Sequence, residues 1–458
     1  MSDTKEETIR DYGRVDFQRE AVLKYAEMFS PFVIADRAAF VLLCIYFLFW
    51  PVWYATESKL LVRIGEFRVE HLAIVIVILF ATGTLIRNRS VMPGFLPLSL
   101  LSIYGAFALT WSIDLKAGAL ILLNFVSAFI FAEVLARNRR RQWIAMLFFV
   151  IGLLLMLALS VIRAEVPGSS DFRLVFPEGI DPNQLAVQAA MAVVILTYVA
   201  AADSRTMVRA SLRIWAGIVL GLPILAVIVL TGSRTGIVAT IAGASIVLFV
   251  RKDPSKGLQI WHGRLALIPV ATILAILVIV PLMQSKSATL LERYEEGFFK
   301  GDLNGRATVW KAGVMYFASS PKLMILGGGL GSFDESVVDY LGDPLREVAI
   351  AMGAMNLSRP YPYFGAHNDF VRLGCDLGIV GLSLFLAFYI SLGRACIQAA
   401  VAFDGSVLQL ALFVTLIVSS MALDIVNFPV YAIVLALIIA PCIEHHSQAG
   451  DCRPVRPS

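Results

Sequence analysis

Long apolar runs recur along the chain from residue 38 to residue 443, and short polar connectors separate them. A run of about 17–25 apolar residues crosses a bilayer as a helix, and only helices or closed barrels satisfy the backbone there. The runs lack the alternation of polar and apolar residues that barrel strands require. The pattern therefore predicts an all-α polytopic membrane protein with twelve spans, at 38–54, 70–86, 95–111, 117–135, 143–162, 184–201, 213–231, 235–250, 265–284, 377–393, 406–422 and 425–443.

The composition favours the same class. Apolar residues make up 58% of the chain and charged residues 16%, whereas soluble proteins are about half apolar and a quarter charged. The net charge of +4 gives no indication of a nucleic-acid partner. The five cysteines are scattered, without the paired spacing of zinc or redox sites. We therefore expect neither a disulfide framework nor a metal site.

The distribution of basic residues predicts the orientation. On one side of the predicted membrane the connectors and termini hold 22 Lys and Arg residues, whereas the short connectors on the other side hold seven. The positive-inside rule places the first side in the cytoplasm. The N-terminal arm, residues 1–37, and the C-terminal tail, residues 444–458, are then cytoplasmic. The arm lacks the apolar core and cleavage site of a signal peptide.

One connector, residues 285–376, is much longer than the others and is predicted to lie on the outer side. It separates spans one to nine, in residues 38–284, from spans ten to twelve, in residues 377–443. Loops beyond about 15 residues are uncommon in compact proteins and are usually functional. The division of the chain therefore points to residues 285–376 as the segment that carries catalytic elements.

A helix is predicted inside this loop, over residues 304–319, with Pro321 ending the pattern. Apolar side chains recur there at helical spacing, at Ala307, Trp310, Val314 and Phe317. We expect an amphipathic helix at the membrane surface, with its aromatic face toward lipid or toward the bundle.

Arg234 lies in the tight turn from Thr231 to Gly236, between spans seven and eight. An ionisable group at the edge of an apolar hairpin is costly and tends to face a cavity or a partner. The flanking glycines allow another group to approach closely. The alternative is an arginine that extends to the lipid headgroups.

Arg306 and His367 are the candidate residues of the long loop. Arg306 enters the predicted helix, where a cation opposes the helix dipole unless it faces an anion that the helix end also attracts. His367 stands beside Asn368 and Asp369 and near Asp376, and a histidine takes a proton from a hydroxyl near neutral pH. The alternatives are a solvated arginine and a hydrogen-bonded interface histidine.

Other polar groups on the predicted outer side are weaker candidates. Asn183 follows a helix start at span six and faces the same side as Arg163 and Arg173, which either form a basic rim or balance nearby acids. The glycine run from Gly327 to Gly331 lacks the spacing of a nucleotide-binding loop. We interpret it as a structural turn that lets the long loop fold back.

Two arginines and one titratable base on one side of a membrane suit a substrate with a diphosphate and a hydroxyl group. Arginine binds phosphate oxygens in a bidentate manner and keeps its proton. Since no cluster has metal-ligand spacing, the arginines Arg234 and Arg306 would neutralise the diphosphate without a metal or cofactor.

The C-terminal half of the chain resembles the O-antigen ligase and polymerase superfamily of bacterial envelope glycosyltransferases. The shared motifs occur in the same order, at Gly232 to Gly236, Asn304 to Trp310, Pro321 to Phe333, Ala366 to Asn368 and Leu377 to Gly381. The resemblance implies inverting, metal-independent transfer of a glycan from undecaprenyl diphosphate at the periplasmic face of the inner membrane. It assigns donor diphosphate binding to Arg234 and Arg306, and activation of the acceptor hydroxyl to His367.

Within this superfamily the sequence favours the ligase, whose acceptor is a sugar hydroxyl of lipid A–core. The polymerase and the protein O-oligosaccharyltransferase share the same motifs and stay open as alternatives. Residues 334–363 match no motif of the superfamily, and acceptor recognition is expected there. A transporter or lipid flippase is the alternative of another class, but the two halves of the chain do not match as transporter repeats commonly do.

Overall fold

The computed structural model describes residues 31–56, 95–163, 182–201, 210–231, 233–253, 257–260, 306–341, 365–402 and 407–451. The α-helices of these residues are α1 (Pro31–Thr56), α2 (Phe95–Ala108), α3 (Leu115–Ala136), α4 (Arg139–Arg163), α5 (Pro182–Ala201), α6 (Ala210–Leu230), α7 (Arg234–Phe249), α8 (Arg306–Ala318), α9 (Pro321–Leu326), α10 (Phe333–Ser336), α11 (Asp369–Ala402), α12 (Val407–Ser420) and α13 (Pro429–Asp451). Short 3₁₀ helices occupy Leu109–Trp111, Val338–Tyr340 and Ile425–Asn427.

Apolar helices occur at ten of the twelve predicted spans, and the predicted spans 70–86 and 265–284 lie outside the described residues. Five of these helices are long enough to cross a bilayer, over Val33–Trp50, Leu115–Ala136, Arg139–Leu159, Asn183–Ala201 and Asp369–Val401. The protein is therefore a helical membrane protein, as its sequence predicts. The total of twelve spans and the side on which the long loop lies stay predictions.

The span helices pack into one apolar core. Helix α1 packs against α4, and α3 packs against α13. Helix α7 packs against both α5 and α12, and α12 in turn packs against α11. Phe47, Phe125, Phe131 and Phe385 are among the fully buried side chains of the core. In this arrangement α12 connects the Arg234 helix with the helix that follows His367.

A short antiparallel hairpin follows α7, with strands β1 (Val250–Asp253) and β2 (Gly257–Ile260). Val250 pairs with Ile260, and Asp253 pairs with Gly257. The all-α prediction did not include this hairpin. It begins where the apolar run of α7 gives way to charged residues, so it extends from the end of a predicted span without interrupting it.

Helix α11 begins at Asp369, eight residues before the predicted start of span ten at residue 377. The helix contains a break at Gly378, whose backbone is non-helical with φ 63° and ψ −168°. The predicted boundary therefore corresponds to the segment after the break. Hydropathy missed the first segment because Asp369, Arg372 and Asp376 interrupt its apolar pattern, although all three side chains are fully buried.

The glycine run from Gly327 to Gly331 is a packing joint, in agreement with its interpretation as a structural turn. The amides of Gly328 and Gly329 donate to the carbonyls of Cys375 and Asp376, at 3.0 and 2.9 Å. On its other side, Ser112 Oγ donates to the carbonyl of Leu330 at 2.7 Å. The run thus joins the break in α11 to the segment that precedes α3.

Replacing Gly331 with alanine is expected to destabilise this joint. Gly331 has φ +88°, and a Cβ atom would overlap the backbone of Gly118 in α3. Backbone strain and overpacking each cost about 1–3 kcal/mol, so we expect a loss of about 3 kcal/mol. Thermal unfolding of the purified protein in detergent measures it. Gly221→Ala is the matched control, because a Cβ at Gly221 has no neighbour within 4 Å, and an unchanged Gly331→Ala variant would contradict the assigned joint.

Candidate functional site

His367 has a left-handed backbone, with φ 49°, and is the one non-glycine residue with positive φ among the residues that the structure describes. Its side chain is half-buried. Histidine adopts this conformation more readily than most residues, but it still costs free energy and persists only where the surroundings impose it. The contacts on either side of His367 supply that constraint.

Side chains from two different elements hold the residues that flank His367. The indole Nε1 of Trp310, in α8, donates to the carbonyl of Ala366 at 2.7 Å. The amide of Asn368 donates to Oδ1 of Asp424, in the connector between α12 and α13, at 3.1 Å. The turn is therefore fixed immediately before and immediately after the histidine.

The polar residues that follow His367 organise the backbone around it. The Asn368 carboxamide caps α11, since its Oδ1 accepts from the amides of Phe370 at 2.9 Å and Val371 at 3.2 Å. Oδ1 of the buried Asp369 accepts from the amide of Val426 at 3.2 Å. From α3, Nδ2 of Asn124 donates to the carbonyl of Val426 at 2.8 Å. The connector after α12 is thus held on two sides, next to the His367 turn.

Asp376 holds the backbone of the glycine run, just as Asn368 and Asp369 hold the backbone near His367. Its two carboxylate oxygens accept from the amides of Gly331 at 2.9 Å and Phe333 at 2.8 Å. Both bonds use a fully buried acid to satisfy backbone donors, which a folded chain seldom leaves unpaired. Asp376 therefore fixes the segment that carries Phe333 and Asp334 against α11.

The sequence did not predict the buried ionic cluster that lies beside the His367 turn. Nη2 of Arg372 lies 2.8 Å from Oδ1 of Asp334 and 3.5 Å from Oδ2 of Asp424. The guanidinium of Arg372 also lies over the Phe333 ring, 5.3 Å from its centroid. The available signal was a charge at the edge of a predicted span, at Arg372 before span ten and at Asp424 between spans eleven and twelve, which indicates paired groups more often than solvated ones.

Glu335, which follows Asp334, interacts electrostatically with Asp114 at the start of α3. Burial raises the pKa of the Glu335 carboxyl above its ordinary value, and the negative charge of Asp114 raises it further. Both causes disfavour the ionised form. Acidification through the raised pKa of Glu335 therefore relieves a repulsion between the loop and α3.

Arg306 is the first residue of α8, and its side chain is half-buried. The face of α8 that packs against protein is formed by Val309, Ala312, Gly313 and Tyr316. Gly313 permits the close approach, because a Cβ there would lie 3.1 Å from Val371 and 3.4 Å from the Cys375 sulfur. The apolar positions predicted from spacing lie beside this face, and Val314 is 59% exposed. Helix α8 thus packs on α11 and presents apolar side chains outward.

Arg234 is the first residue of α7, and Ser233 caps the helix by accepting from the amide of Gly236 at 3.2 Å. Helix α7 lies close to α5, since a Cβ at Gly236 would overlap Ala186. The predicted close approach at the flanking glycine is therefore confirmed. Because Ala186 follows Asn183 and Gln184, the contact brings Arg234 to the end of α5 that carries these two polar side chains.

The remaining predicted residues of the outer rim are only partly located. Arg163 is the last residue of α4, and Arg173 lies outside the described residues. Asn183 is half-buried and Gln184 is buried at the start of α5. Among the described residues, no group of three or more His, Cys, Asp or Glu side chains is placed to hold a metal ion.

The candidate residues fall into two structural groups. The Trp310–Ala366 hydrogen bond joins the helix that begins at Arg306 to the His367 turn. The contact between Gly236 and Ala186 brings the start of α7, which carries Arg234, against the first turns of α5, which carry Asn183. Helix α12 packs against both α7 and α11, so one element contacts both groups. The chemical roles of Arg234, Arg306 and His367 stay predictions.

Trp310→Phe is expected to raise hydrogen exchange of the amides in residues 365–368 about tenfold, because it removes the Nε1 donor to the Ala366 carbonyl while keeping an aromatic ring. A hydrogen bond contributes about 1 kcal/mol net, and an unpaired partner costs more. Hydrogen exchange of the purified variant, followed by mass spectrometry, measures the effect. Trp215→Phe serves as the control, since Trp215 is 63% exposed on α6. Equal exchange in Trp310→Phe and wild type would remove Trp310 from the positioning of the His367 turn.

Comparison with known proteins matches residues 218–386 to the family model described as O-Antigen ligase. The matched range contains Arg234, Arg306 and His367, and it also contains Arg372. A search of curated protein sequences found no match.

Proposed function

We propose that this chain, whose residues 218–386 match the family model described as O-Antigen ligase, transfers a polysaccharide from undecaprenyl diphosphate to lipid A–core. The family comprises glycosyltransferase-like enzymes of lipopolysaccharide biosynthesis. The acceptor is a sugar hydroxyl, and the reaction takes place at the periplasmic face of the inner membrane. The enzyme acts within the membrane lipids without a metal or a cofactor.

In the proposed reaction His367 removes the proton from the acceptor hydroxyl, whose oxygen attacks the anomeric carbon of the donor sugar. The bond between that carbon and the diphosphate oxygen breaks, so the configuration inverts and undecaprenyl diphosphate leaves with the electron pair. Arg234 and Arg306 stabilise the charge that develops on the diphosphate. Positioning and preorganised charge supply most of the rate enhancement, since the diphosphate is a good leaving group.

The observation that carries the proposal is the His367 turn. A half-buried histidine with φ 49° stands between two residues whose backbone groups are held by Trp310 and Asp424. Such strain is retained where a side chain must point in one direction. An interface histidine with only a structural role needs neither the left-handed backbone nor the two supports.

The positions of the buried charges support an enzyme over a transporter. Asp369, Arg372 and Asp376 all precede the break at Gly378, at the end of α11 that carries the His367 turn. Glu133, which is also buried, lies three residues before the end of α3 at Ala136. Transporters commonly bind their substrates near the bilayer midplane, at broken helices. The three charges of α11 lie in the nine-residue segment between the His367 turn and the break, and Glu133 lies near a helix end.

Complementation tests the function and separates the members of the superfamily. We expect the gene to restore lipopolysaccharide ladders in a ligase-deficient Gram-negative strain. Restoration only in a polymerase-deficient strain would make the protein a polymerase, and glycosylation of a reporter protein would make it a protein O-oligosaccharyltransferase. Translocation of lipid-linked glycan without transfer in proteoliposomes would support the flippase alternative.

A further inference from the structure

The Arg372 side chain is a fully buried cation. Its relative exposure is 0%, and its Nη2 atom lies 2.8 Å from Oδ1 of Asp334, whose side chain is 16% exposed. Taking a guanidinium out of water is costly, and an ion pair compensates the cost only with good geometry and further hydrogen bonds. A buried arginine in a membrane protein therefore calls for a specific function.

Asp424 links this cation to the candidate base. Its Oδ2 lies 3.5 Å from Nη2 of Arg372, while its Oδ1 accepts from the amide of Asn368 at 3.1 Å. One carboxylate therefore contacts the guanidinium with one oxygen and the residue that directly follows His367 with the other. The orientation of the Asp424 carboxylate in which Oδ2 contacts Arg372 is therefore also the one in which Oδ1 accepts from the Asn368 amide.

The position of the guanidinium is itself fixed. It lies over the Phe333 ring, 5.3 Å from the centroid, and the amide of Phe333 donates to Oδ1 of Asp376 at 2.8 Å. The Arg372 amide donates to the carbonyl of Asn368 at 3.0 Å, in the first turn of α11. The ring, the two carboxylates and the helix backbone thus confine Arg372 in one place.

We propose that Arg372 is a positioning residue for His367. It orients the Asp424 carboxylate, which holds the Asn368 amide and so keeps the left-handed turn that directs the imidazole. Asp334 makes the shorter contact with the same Nη2 atom, at 2.8 Å, and so holds the guanidinium beside Asp424. This inference rests on the proposed function, because it assigns a purpose to a fixed imidazole. Lysine does not replace arginine here, since a compact ammonium lacks the planar guanidinium that lies over the Phe333 ring.

Hydrogen exchange and steady-state kinetics on the full-length protein in nanodiscs test the proposal with Arg372→Lys. Exchange of the amides in residues 365–372 is expected to rise about tenfold through local opening of the turn. The kcat for transfer is expected to fall about 10- to 100-fold through misplacement of the base, while KM for the lipid-linked donor stays within about twofold. Arg394→Lys is the matched control, because it makes the same change at an exposed position of α11.

Asp334→Asn is the second variant, for the case in which Arg372→Lys does not fold. It removes one charge from the pair at its more exposed partner and keeps a hydrogen-bond acceptor of the same shape. We expect the same direction of change in exchange and kcat, with a smaller amplitude. A purely structural ion pair would lower the amount of folded protein and leave the kcat of each folded molecule unchanged.

The two arms of the experiment separate this inference from the proposed function. Unchanged exchange at residues 365–372 in a folded variant overturns the link between Arg372 and the turn. Raised exchange with an unchanged kcat overturns the positioning role while the ligase function stands. If the wild-type protein transfers no glycan to lipid A–core, the proposed function fails, and the exchange arm still decides whether Arg372 holds the turn.

Discussion

His367→Asn is expected to lower the kcat of glycan transfer by about 10²–10⁴-fold, the usual contribution of a positioned general base. Asparagine is the informative substitution because it tolerates the left-handed backbone that His367 adopts, with φ 49°. The turn is thereby kept while the base is removed. Transfer of a fluorescent lipid-linked glycan to lipid A–core in nanodiscs, followed by gel electrophoresis, measures the rate.

Two comparisons show whether the loss is chemical. His445→Asn makes the same substitution near the end of α13, and we expect it to retain the wild-type rate. Hydrogen exchange of residues 365–372 in His367→Asn should match that of wild type, since Trp310 and Asp424 hold the flanking backbone. If His367→Asn retained more than about a tenth of the wild-type kcat, the general-base contribution described above would be absent.

The sequence alone predicted the helices well because span formation depends on local hydropathy. Each of the ten described spans is a predominantly apolar run long enough to form a helix without information from its neighbours. The first segment of α11 shows the limit of this reasoning. Asp369, Arg372 and Asp376 break its apolar pattern, and only their buried partners make that part of the helix stable.

Those partners lie far away along the chain. Arg372 pairs with Asp334 across 38 residues and with Asp424 across 52 residues. Neither separation follows a helical or strand period, so no local pattern indicates the pairing. The sequence identified His367 as a candidate base from its residue type and neighbours. It did not indicate the left-handed turn, which results from hydrogen bonds to Trp310 and Asp424.

The glycine run is an intermediate case. Its poor match to nucleotide-binding loops predicted a structural turn, and the turn packs tightly between Gly118 and the break at Gly378. The choice of Gly118 as a neighbour was not predictable, because it depends on how α3 and α11 meet. The residue types of a segment thus predict which backbone conformations it can adopt. The tertiary fold determines which other segment it contacts.

Arg234→Lys and Arg306→Lys are each expected to reduce kcat/KM for the lipid-linked donor about 100-fold. Each arginine is the first residue of a helix, in α7 and α8 respectively, where a cation opposes the positive end of the helix dipole. This placement is favourable when an anion lies against both the helix end and the guanidinium. Lysine keeps the charge but loses the bidentate fork, so the variants test geometry separately from charge.

The double variant Arg234→Lys, Arg306→Lys distinguishes one shared diphosphate site from two independent arginines. Two arginines that bind the same diphosphate act as a unit, so the combined loss is expected to differ from the product of the single losses. Inhibition by inorganic pyrophosphate provides a second measure and should weaken in both single variants. Arg394→Lys, at an exposed position of α11, should leave both measures unchanged. If the losses in kcat/KM of the single variants multiply in the double variant, and pyrophosphate inhibition is unaltered, the arginines do not bind one diphosphate. His367 would then act on a donor held by other groups.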